Sequence, residues 1–385
     1  MKPPDSAVPS GDREMARNLM RALALAGHDV ALASRFVSRD GRGDAARQTR
    51  LADLGSRLAD RLIRRWQDRT DAGRESRPDA WFTYHLYHKA PDRLGPRVAA
   101  ALGIPYLVAE ASHAPKQAGG PWDSGYRAAE SALRSAHAVI GLSSADAACV
   151  RPLLRDTGRY RTLPPFTDTG RFAAAADRRG VHRAALCARG GWPASSTLLL
   201  AVGMMRPGDK LASYRALAAA LQRTGGAGDW RLAIAGDGPA RADVAAAFSH
   251  LPAGRIAQLG AISPDDLPAL YAGADILAWP AINEAYGMAL LEAQAAGLPA
   301  VAGRAGGVAD IVRDGTTGLL TPEGDVKAFA AALSRLIAAP GEAAAMRDAA
   351  RRLIPETHGL AGAATALDLC LAAARHAAAG DRRAA

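Results

Sequence analysis

Short apolar runs alternate with stretches of helical period along almost the whole chain. That alternation is the signature of βαβ units and parallel sheets. In the first half, residues 13–26 carry an amphipathic helical pattern, and Asp29-Val30-Ala31-Leu32-Ala33 reads as a strand after it. The apolar runs 80–84, 106–110 and 138–142 read as further buried strands, separated by helical patterns at 49–68, 91–102, 125–136 and 144–154. In the second half the pattern predicts strands at 197–202, 231–235, 256–259, 276–278, 300–302 and 318–320. A last helical pattern covers 357–378 and gives way to a polar tail expected to fray.

Between the two series, Leu163-Pro164-Pro165-Phe166 closes the first, and Gly190-Gly191-Trp192-Pro193 precedes the restart. Glycine and proline punctuate there. The junction is therefore placed at 190/191, with one domain over 1–190, a second over 191–355, and a C-terminal helix and tail over 356–385. One element is missing. A Rossmann-like domain opens with an apolar strand leading into its first loop, whereas this chain starts in Pro- and Ser-rich material and passes directly into a helix. The expectation is that a start codon placed too late has removed that strand. The upstream DNA read in frame tests it, and a stop codon directly before Met1 would rule it out.

Composition narrows the class. Apolar residues make up 49% and charged residues 22% of 385 positions, which suits a soluble globular protein of about two domains. No stretch is long and apolar enough for a transmembrane helix, and the first residues lack the apolar core of a signal peptide. Cys149, Cys187 and Cys370 lie too far apart to read as a disulfide framework or a zinc site, so a cytoplasmic location is expected. The net charge of +10 comes almost wholly from arginine in an alanine-rich chain, since only Lys2, Lys89, Lys116, Lys210 and Lys327 are lysine. With no block of five or more like charges, no nucleic-acid partner is expected. The charge leaves contact with the inner membrane face open, although no amphipathic anchor stands out.

The most informative segment runs from Asn283 to Pro299, NEAYGMALLEAQAAGLP. It follows one predicted strand and precedes another, so its loop and helix lie where open α/β sheets bind ligands. Asn283 is the expected N-cap. The amides of Gly287, Met288 and Ala289 would face a bound phosphate, aided by the helix dipole, and Gly287 allows close approach. Glu284 and Glu292 are eight residues apart, roughly 12 Å of helical rise. That exceeds the about 5–10 Å of a carboxylate pair acting on one bond. It suits two separate hydroxyl contacts at either end of a diphosphate, Glu284 to a sugar and Glu292 to a ribose. Isolated glutamates on a surface helix would be read as solvated; the loop, the glycine and the following Gly297-Leu298-Pro299 turn favour the ligand.

This segment resembles the E-x7-E motif of retaining GT-B glycosyltransferases, in particular glycosyltransferase family 4. The resemblance continues in order through Gly236-Asp237-Gly238-Pro239, Leu259-Gly260, Ala305-Gly306-Gly307 and Asp314-Gly315-Thr316-Thr317-Gly318-Leu319-Leu320. It covers nearly all of 195–340. It implies a GT-B fold, α/β, with two Rossmann-like domains facing across a cleft and a last helix crossing back to the first. It also implies transfer of a sugar, with retention, from a nucleotide-sugar donor to a glycan, lipid or small-molecule acceptor. In the family the loop after the first strand of this domain supplies an Arg and a Lys to the donor diphosphate. Here it reads Gly203-Met204-Met205-Arg206-Pro207-Gly208-Asp209-Lys210, with Met204 where the Arg usually stands; Lys210 and Arg206 are the candidates. No two aspartates are separated by one residue, so no DxD metal motif exists and no metal or other cofactor is expected. Fixed cations and helix amides would stabilise the leaving diphosphate instead.

In the first half, Pro9-Ser10-Gly11-Asp12 resembles the family's first glycine loop, which makes Gly11 a donor-side candidate, and 163–172 resembles its hinge. Two histidine-containing segments, His85-Leu86-Tyr87-His88-Lys89 and Glu110-Ala111-Ser112-His113-Ala114-Pro115-Lys116, follow predicted strands. His113 matches a cleft histidine that contacts the transferred sugar. Lys89 and Lys116 are candidates for a phosphate on the acceptor. His28 and His137 read as structural, and His85 with His88 has no further zinc-ligand set. The rival readings are another GT-B enzyme such as an epimerase or phosphorylase, a non-catalytic nucleotide-sugar-binding protein, and a nicotinamide dehydrogenase. The last lacks the GxGxxG fingerprint after a strand.

Overall fold

The computed structural model describes residues 3–6, 10–71, 77–143, 146–224 and 227–384. Pro9 of the expected glycine loop and the start of the helical pattern at 144–154 lie outside them; Ala147–Val150 is helical and Arg151–Leu153 a 3₁₀ turn. The chain forms two compact units, one of residues 1–164 with 363–385 and one of residues 165–362.

The first unit holds four parallel strands in the order β1 (Trp81–Leu86), β2 (Tyr106–Ala111), β3 (Ala138–Gly141) and β4 (Tyr160–Thr162). Successive side chains on a strand point to opposite faces. Tyr106 and Val108 accordingly join one core with Leu62, Val98 and Leu133. Leu107 and Ala138 pack on Leu371 and Ala374 of the helix Leu360–Ala384. That helix continues to Ala384, past the frayed tail expected from 379 onward. Its last turn is anchored: both Arg159 Nη atoms donate to Asp381, at 2.7 and 3.1 Å, and Arg155 donates at 3.3 Å.

The strand expected at 29–33 does not form. Residues 28–40 belong to no sheet, and Leu32 and Val37 are about two-fifths exposed. An apolar run becomes a buried strand only where a neighbour takes its backbone hydrogen bonds, and β1 pairs with β2 alone among the described strands.

The second unit is a six-stranded parallel sheet of β5 (Thr197–Val202), β6 (Trp230–Ala235), β7 (Ile256–Gly260), β8 (Ile276–Trp279), β9 (Ala300–Gly303) and β10 (Gly318–Thr321), in the order β10-β9-β8-β5-β6-β7. Every strand expected here is present. Strand order reverses between β8 and β5, the switch point where doubly wound sheets open a crevice. The unit begins at Pro165, not at the expected 190/191 junction. The helices Thr169–Ala176 and Arg179–Gly190 are part of it because arginines bind them in. Arg179 donates to Ala272 O and Asp275, and Arg183 donates to Asp275 and to Ser196 O. The hinge-like segment thus coincides with the change of unit. Thr167 N donates to His358 O at 3.0 Å, and His358 Nδ1 lies 2.6 Å from Pro165 O, which ties the two ends of the unit together.

Candidate functional site

The loops after β5 and β8 flank the switch point, and they carry Lys210 and Glu284. After β5, the backbone at 203–205 runs against the Gly236–Pro239 loop. Met205 N donates to Asp237 O and Ala240 N donates to Met205 O, both at 2.9 Å. A Cβ on Gly236 would stand 1.9 Å from Gly203 O, and one on Gly238 2.4 Å from Met205 O. Glycine is therefore needed there for the two backbones to meet. The loop ends at Gly208, φ +86, which caps the helix Asp209–Arg223 and places Lys210 in its first turn.

The loop after β8 is held in an unusual shape. Ala281 and Asn283 adopt left-handed φ of 55° and 47°. Ile282 N donates to Ser213 Oγ at 3.0 Å, Asn283 N to Glu323 Oε1 at 2.7 Å, and the Asn283 amide to Asp209 at 3.1 Å. Paired glycines clasp its far end. Gly306, φ +46, leaves room for Glu284 O, which would lie 2.3 Å from a Cβ there, and Gly307 N donates to Ala285 O at 2.5 Å. Strained non-glycine backbone over-determined by its neighbours is a mark of functional loops.

Two expectations need correction here. Asn283 is not the N-cap: the helix is Met288–Ala295 and its cap is Gly287, φ +76. Asn283 turns left-handed and spends its side chain on Asp209. Glu284 therefore lies in the loop and only Glu292 on the helix, so the 12 Å helical rise does not apply. The Met288 and Ala289 amides have no backbone acceptor among the described residues, as the first turn of a helix dictates.

Lys210 Nζ donates to Glu284 Oε2 at 2.5 Å, and Trp279 Nε1 donates to the same oxygen at 3.1 Å. The ammonium also lies 5.2 Å from the Trp279 ring centroid, within cation–π range. Trp279, the last residue of β8, stands edge-on to Tyr214 at 5.1 Å, and the Tyr214 hydroxyl donates to Gly203 O at 2.7 Å. Burial pushes that hydroxyl's pKa up. At the helix, Tyr271 OH donates to Glu292 Oε2 at 3.0 Å. Burial first, then Glu292, drives the Tyr271 pKa far up, so it stays a donor. Arg206 is exposed and has no ion-pair partner among the described residues. Trp279, Tyr271 and Ser213 were missed in the sequence: an aromatic in or beside an apolar run reads as core, and no spacing rule marks it.

The first unit holds the remaining candidates. Gly11 is the first residue of the helix Gly11–Leu25, capped by Ser10, and its φ is not left-handed. Its expected loop role has no support in its backbone. His113 stacks on Tyr126 at 5.2 Å and lies 3.4 Å from Glu130. Lys116 is exposed, and Lys89 Nζ lies 4.7 Å from the Trp122 ring centroid. Burial, then Lys89 and Lys116, lowers the His88 pKa, so both lysines act on one locality.

A further cluster was not foreseen. His85 and Glu110 stand opposite each other near the C-terminal ends of β1 and β2, both left-handed, with φ of 63° and 56°. His85 Nδ1 lies 3.6 Å from Glu110 and 3.6 Å from Asp12, close enough for ion pairing but long for hydrogen bonds. Burial alone would lower the His85 pKa; Asp12 and Glu110 outweigh it and raise it. His28 pairs with Asp368, and His137 Nδ1 accepts from Tyr106 N at 3.0 Å, both structural roles.

Fold and site define a protein of two parallel α/β units, with an ion pair and free helix amides at the second unit's switch point. Over residues 196–339 the chain matches the sequence model of the glycosyl transferases group 1 family. It is 34% identical over 209 residues to a D-inositol 3-phosphate glycosyltransferase of Salinispora arenicola, covering 51% of this chain and 46% of that protein. It is 36% identical over 197 residues to a GDP-mannose-dependent alpha-(1-6)-phosphatidylinositol monomannoside mannosyltransferase of Mycolicibacterium smegmatis, covering 49% of this chain and 50% of that protein. The matches to these curated relatives thus span about half their length. Anabaena HepE, solved with UDP-glucose, shares the GT-B fold with a TM-score of 0.68 over 95% of this chain and 97% of that one, at 18% identity.

Proposed function

We propose that the protein is a retaining, metal-independent glycosyltransferase that uses a nucleotide-sugar donor. The observation that carries the reading is the Lys210–Glu284 pair beside the free Met288 and Ala289 amides at the sheet's switch point. Cation and amides suit a diphosphate, and a carboxylate held in the same place suits sugar hydroxyls. Glu292, fixed by Tyr271, is proposed to accept from the ribose, and Arg206, exposed on the loop before Lys210, to add a second cation. Glu284 is engaged by two donors, which disfavours it as a covalent nucleophile. The reaction is then a front-face displacement. The acceptor oxygen bonds to the anomeric carbon as the carbon–phosphate-oxygen bond breaks on the same face, and the acceptor's proton passes to the departing phosphate oxygen. Fixed donors stabilise the charge that develops on that oxygen.

For the acceptor, we propose an anionic group bound by Lys89, which lies over the Trp122 ring, and by the exposed Lys116. The two curated relatives, named for an inositol 3-phosphate and for a phosphatidylinositol monomannoside, agree with that class. His113 is proposed as a sugar contact on the family resemblance. Turnover with UDP-glucose and GDP-mannose, with the product's anomeric configuration read by NMR, tests the proposal. Glu284→Ala should lower kcat by roughly 10–100-fold, the loss expected of a hydrogen bond to a charged group, while leaving the fold intact. Inverted product or unchanged turnover in the variant would refute it.

Contact with an anionic membrane face belongs to the same reading. The helix Ala45–Asp71 exposes Arg47, Arg50, Arg57, Arg61, Arg64 and Arg65, which fall within roughly 100° of its circumference at 3.6 residues per turn. All but Arg65 lack an ion-pair partner among the described residues. Such a stripe complements anionic lipid at low salt. Sedimentation with phosphatidylglycerol vesicles, lost at high salt and in an Arg57→Glu/Arg61→Glu variant, is the expected result. Equal binding to neutral phosphatidylcholine vesicles would contradict it.

A further inference from the structure

Trp279 occupies a position that nothing in the motif explains. It ends β8 five residues before Glu284 and is almost fully buried. Three sides of the indole are in use. Its N–H donates to Glu284 Oε2, its face carries the Lys210 ammonium, and its edge meets Tyr214, which in turn holds the Gly203 carbonyl. Gly203 itself approaches so closely that a Cβ there would stand 2.9 Å from the indole. One side chain thus spaces the loop after β5, the first turn of its helix and the carboxylate of the loop after β8.

In the ligand-free arrangement Lys210 and Glu284 satisfy each other. A diphosphate that draws Lys210 away removes the cation from Glu284 and leaves the indole N–H as the donor shown holding that oxygen. A bare nucleoside diphosphate offers Glu284 nothing in return, whereas a nucleotide-sugar brings hydroxyl donors to the vacated oxygen. Leaving a half-buried carboxylate one donor short is costly, so the sugar's presence offsets what the diphosphate disturbs. We propose that Trp279 is a positioning residue: it keeps Glu284 in place when Lys210 turns to the diphosphate, and so sets the preference for nucleotide-sugar over bare nucleotide. This rests on the nucleotide-sugar reading above.

Calorimetric titration of the full chain with UDP against UDP-glucose, and GDP against GDP-mannose, tests it. Trp279→Phe keeps a ring under Lys210 but removes the N–H. Its affinity for UDP or GDP should stay within about twofold of the wild type, while affinity for the matching sugar nucleotide falls about tenfold, the loss of one hydrogen bond to a charged acceptor. The ratio of the two affinities is what a merely structural role would not move. Glu284→Ala supplies a second background: it leaves the indole N–H no acceptor at this position, so if Trp279 acts through Glu284, adding Trp279→Phe there changes the ratio no further. Equal falls for nucleotide and sugar nucleotide in Trp279→Phe, or additive effects in the double variant, overturn the proposal alone. A wild type that binds neither pair overturns the nucleotide-sugar reading and the proposal with it.

Discussion

Gly306 carries more of the site than its size suggests. It sits at φ +46 with Glu284 O where its Cβ would be, so an alanine must both bear left-handed strain and displace the Glu284 backbone. Gly315, φ +69, has open space around it. Gly315→Ala should cost about 1 kcal/mol, the strain term alone, and Gly306→Ala about 2 kcal/mol or more. Urea unfolding gives the order, and the reverse order would contradict the clasp. His85 gives a second test at this scale. Its raised pKa requires that its charged form stabilise the first unit fully below the unfolded value and that this contribution fade as pH rises through the folded value. The ring should titrate above its ordinary value in an NMR pH series. Asp12→Asn should bring the value down, because burial then meets less opposition; an unchanged value would show that Asp12 is not the cause. At this scale the sequence showed Glu284, Glu292, Lys210 and the glycines through their order and spacing. It hid Trp279, and it singled out the His85 and Glu110 segments without showing that these two residues meet Asp12, because such roles depend on neighbours distant in the chain; it misplaced the cap at Asn283 because cap propensity was outweighed by the loop's bonds to Asp209, Ser213 and Glu323.

Among the elements, β8 and its helices depend on one carboxylate. Asp275 receives Arg179 and Arg183 and also accepts from Leu198 N at the start of β5, while Arg347 packs alongside and donates to its backbone carbonyl. Burial, then repulsion from Arg179, pushes the Arg347 pKa down to about 10, a sign of crowded positive charge. Removing the partner of a buried ion pair is costly. These side chains are half-buried, so Asp275→Asn should destabilise the second unit by about 1–2 kcal/mol, less than for a fully buried pair, seen as a lower urea midpoint; a loss near zero would mean that the arginines are satisfied by their carbonyls. The strands of this unit were legible because all but the edge strand β7 are apolar runs largely buried in a parallel sheet. The run at 29–33 has the same composition and failed, since hydrophobicity alone does not supply a neighbouring strand. The helices at 169–190 were assigned to the wrong unit because glycine at 190–191 marks a helix end, with Gly191 left-handed at φ +64, and not a domain boundary.

For the whole molecule, the chain leaves the first unit at Pro164 and returns to it at Ala363. Stability of the first unit should therefore depend on the C-terminal helix. Arg159, first through its hydrogen bond, holds the Asp381 carboxyl below its usual range. Its contribution is present above the ordinary carboxylate pKa and lost as pH falls through the depressed one. Asp381→Asn should lower the first unit's unfolding midpoint at pH 7, and the difference should shrink as pH falls below the ordinary carboxylate range; a difference that stays constant with pH would assign the loss to packing.

The central claim is that Lys210, Glu284 and the Met288 and Ala289 amides form a nucleotide-sugar site. The most direct measurement is thermal unfolding with UDP-, GDP-, ADP- and TDP-sugars, for the wild type and Lys210→Ala. A ligand at a hundred times its dissociation constant adds about 2.7 kcal/mol. The account predicts a rise in midpoint with one nucleotide class that is lost in Lys210→Ala. A folded wild type that responds to none of them, or a response that survives the loss of Lys210, would contradict it.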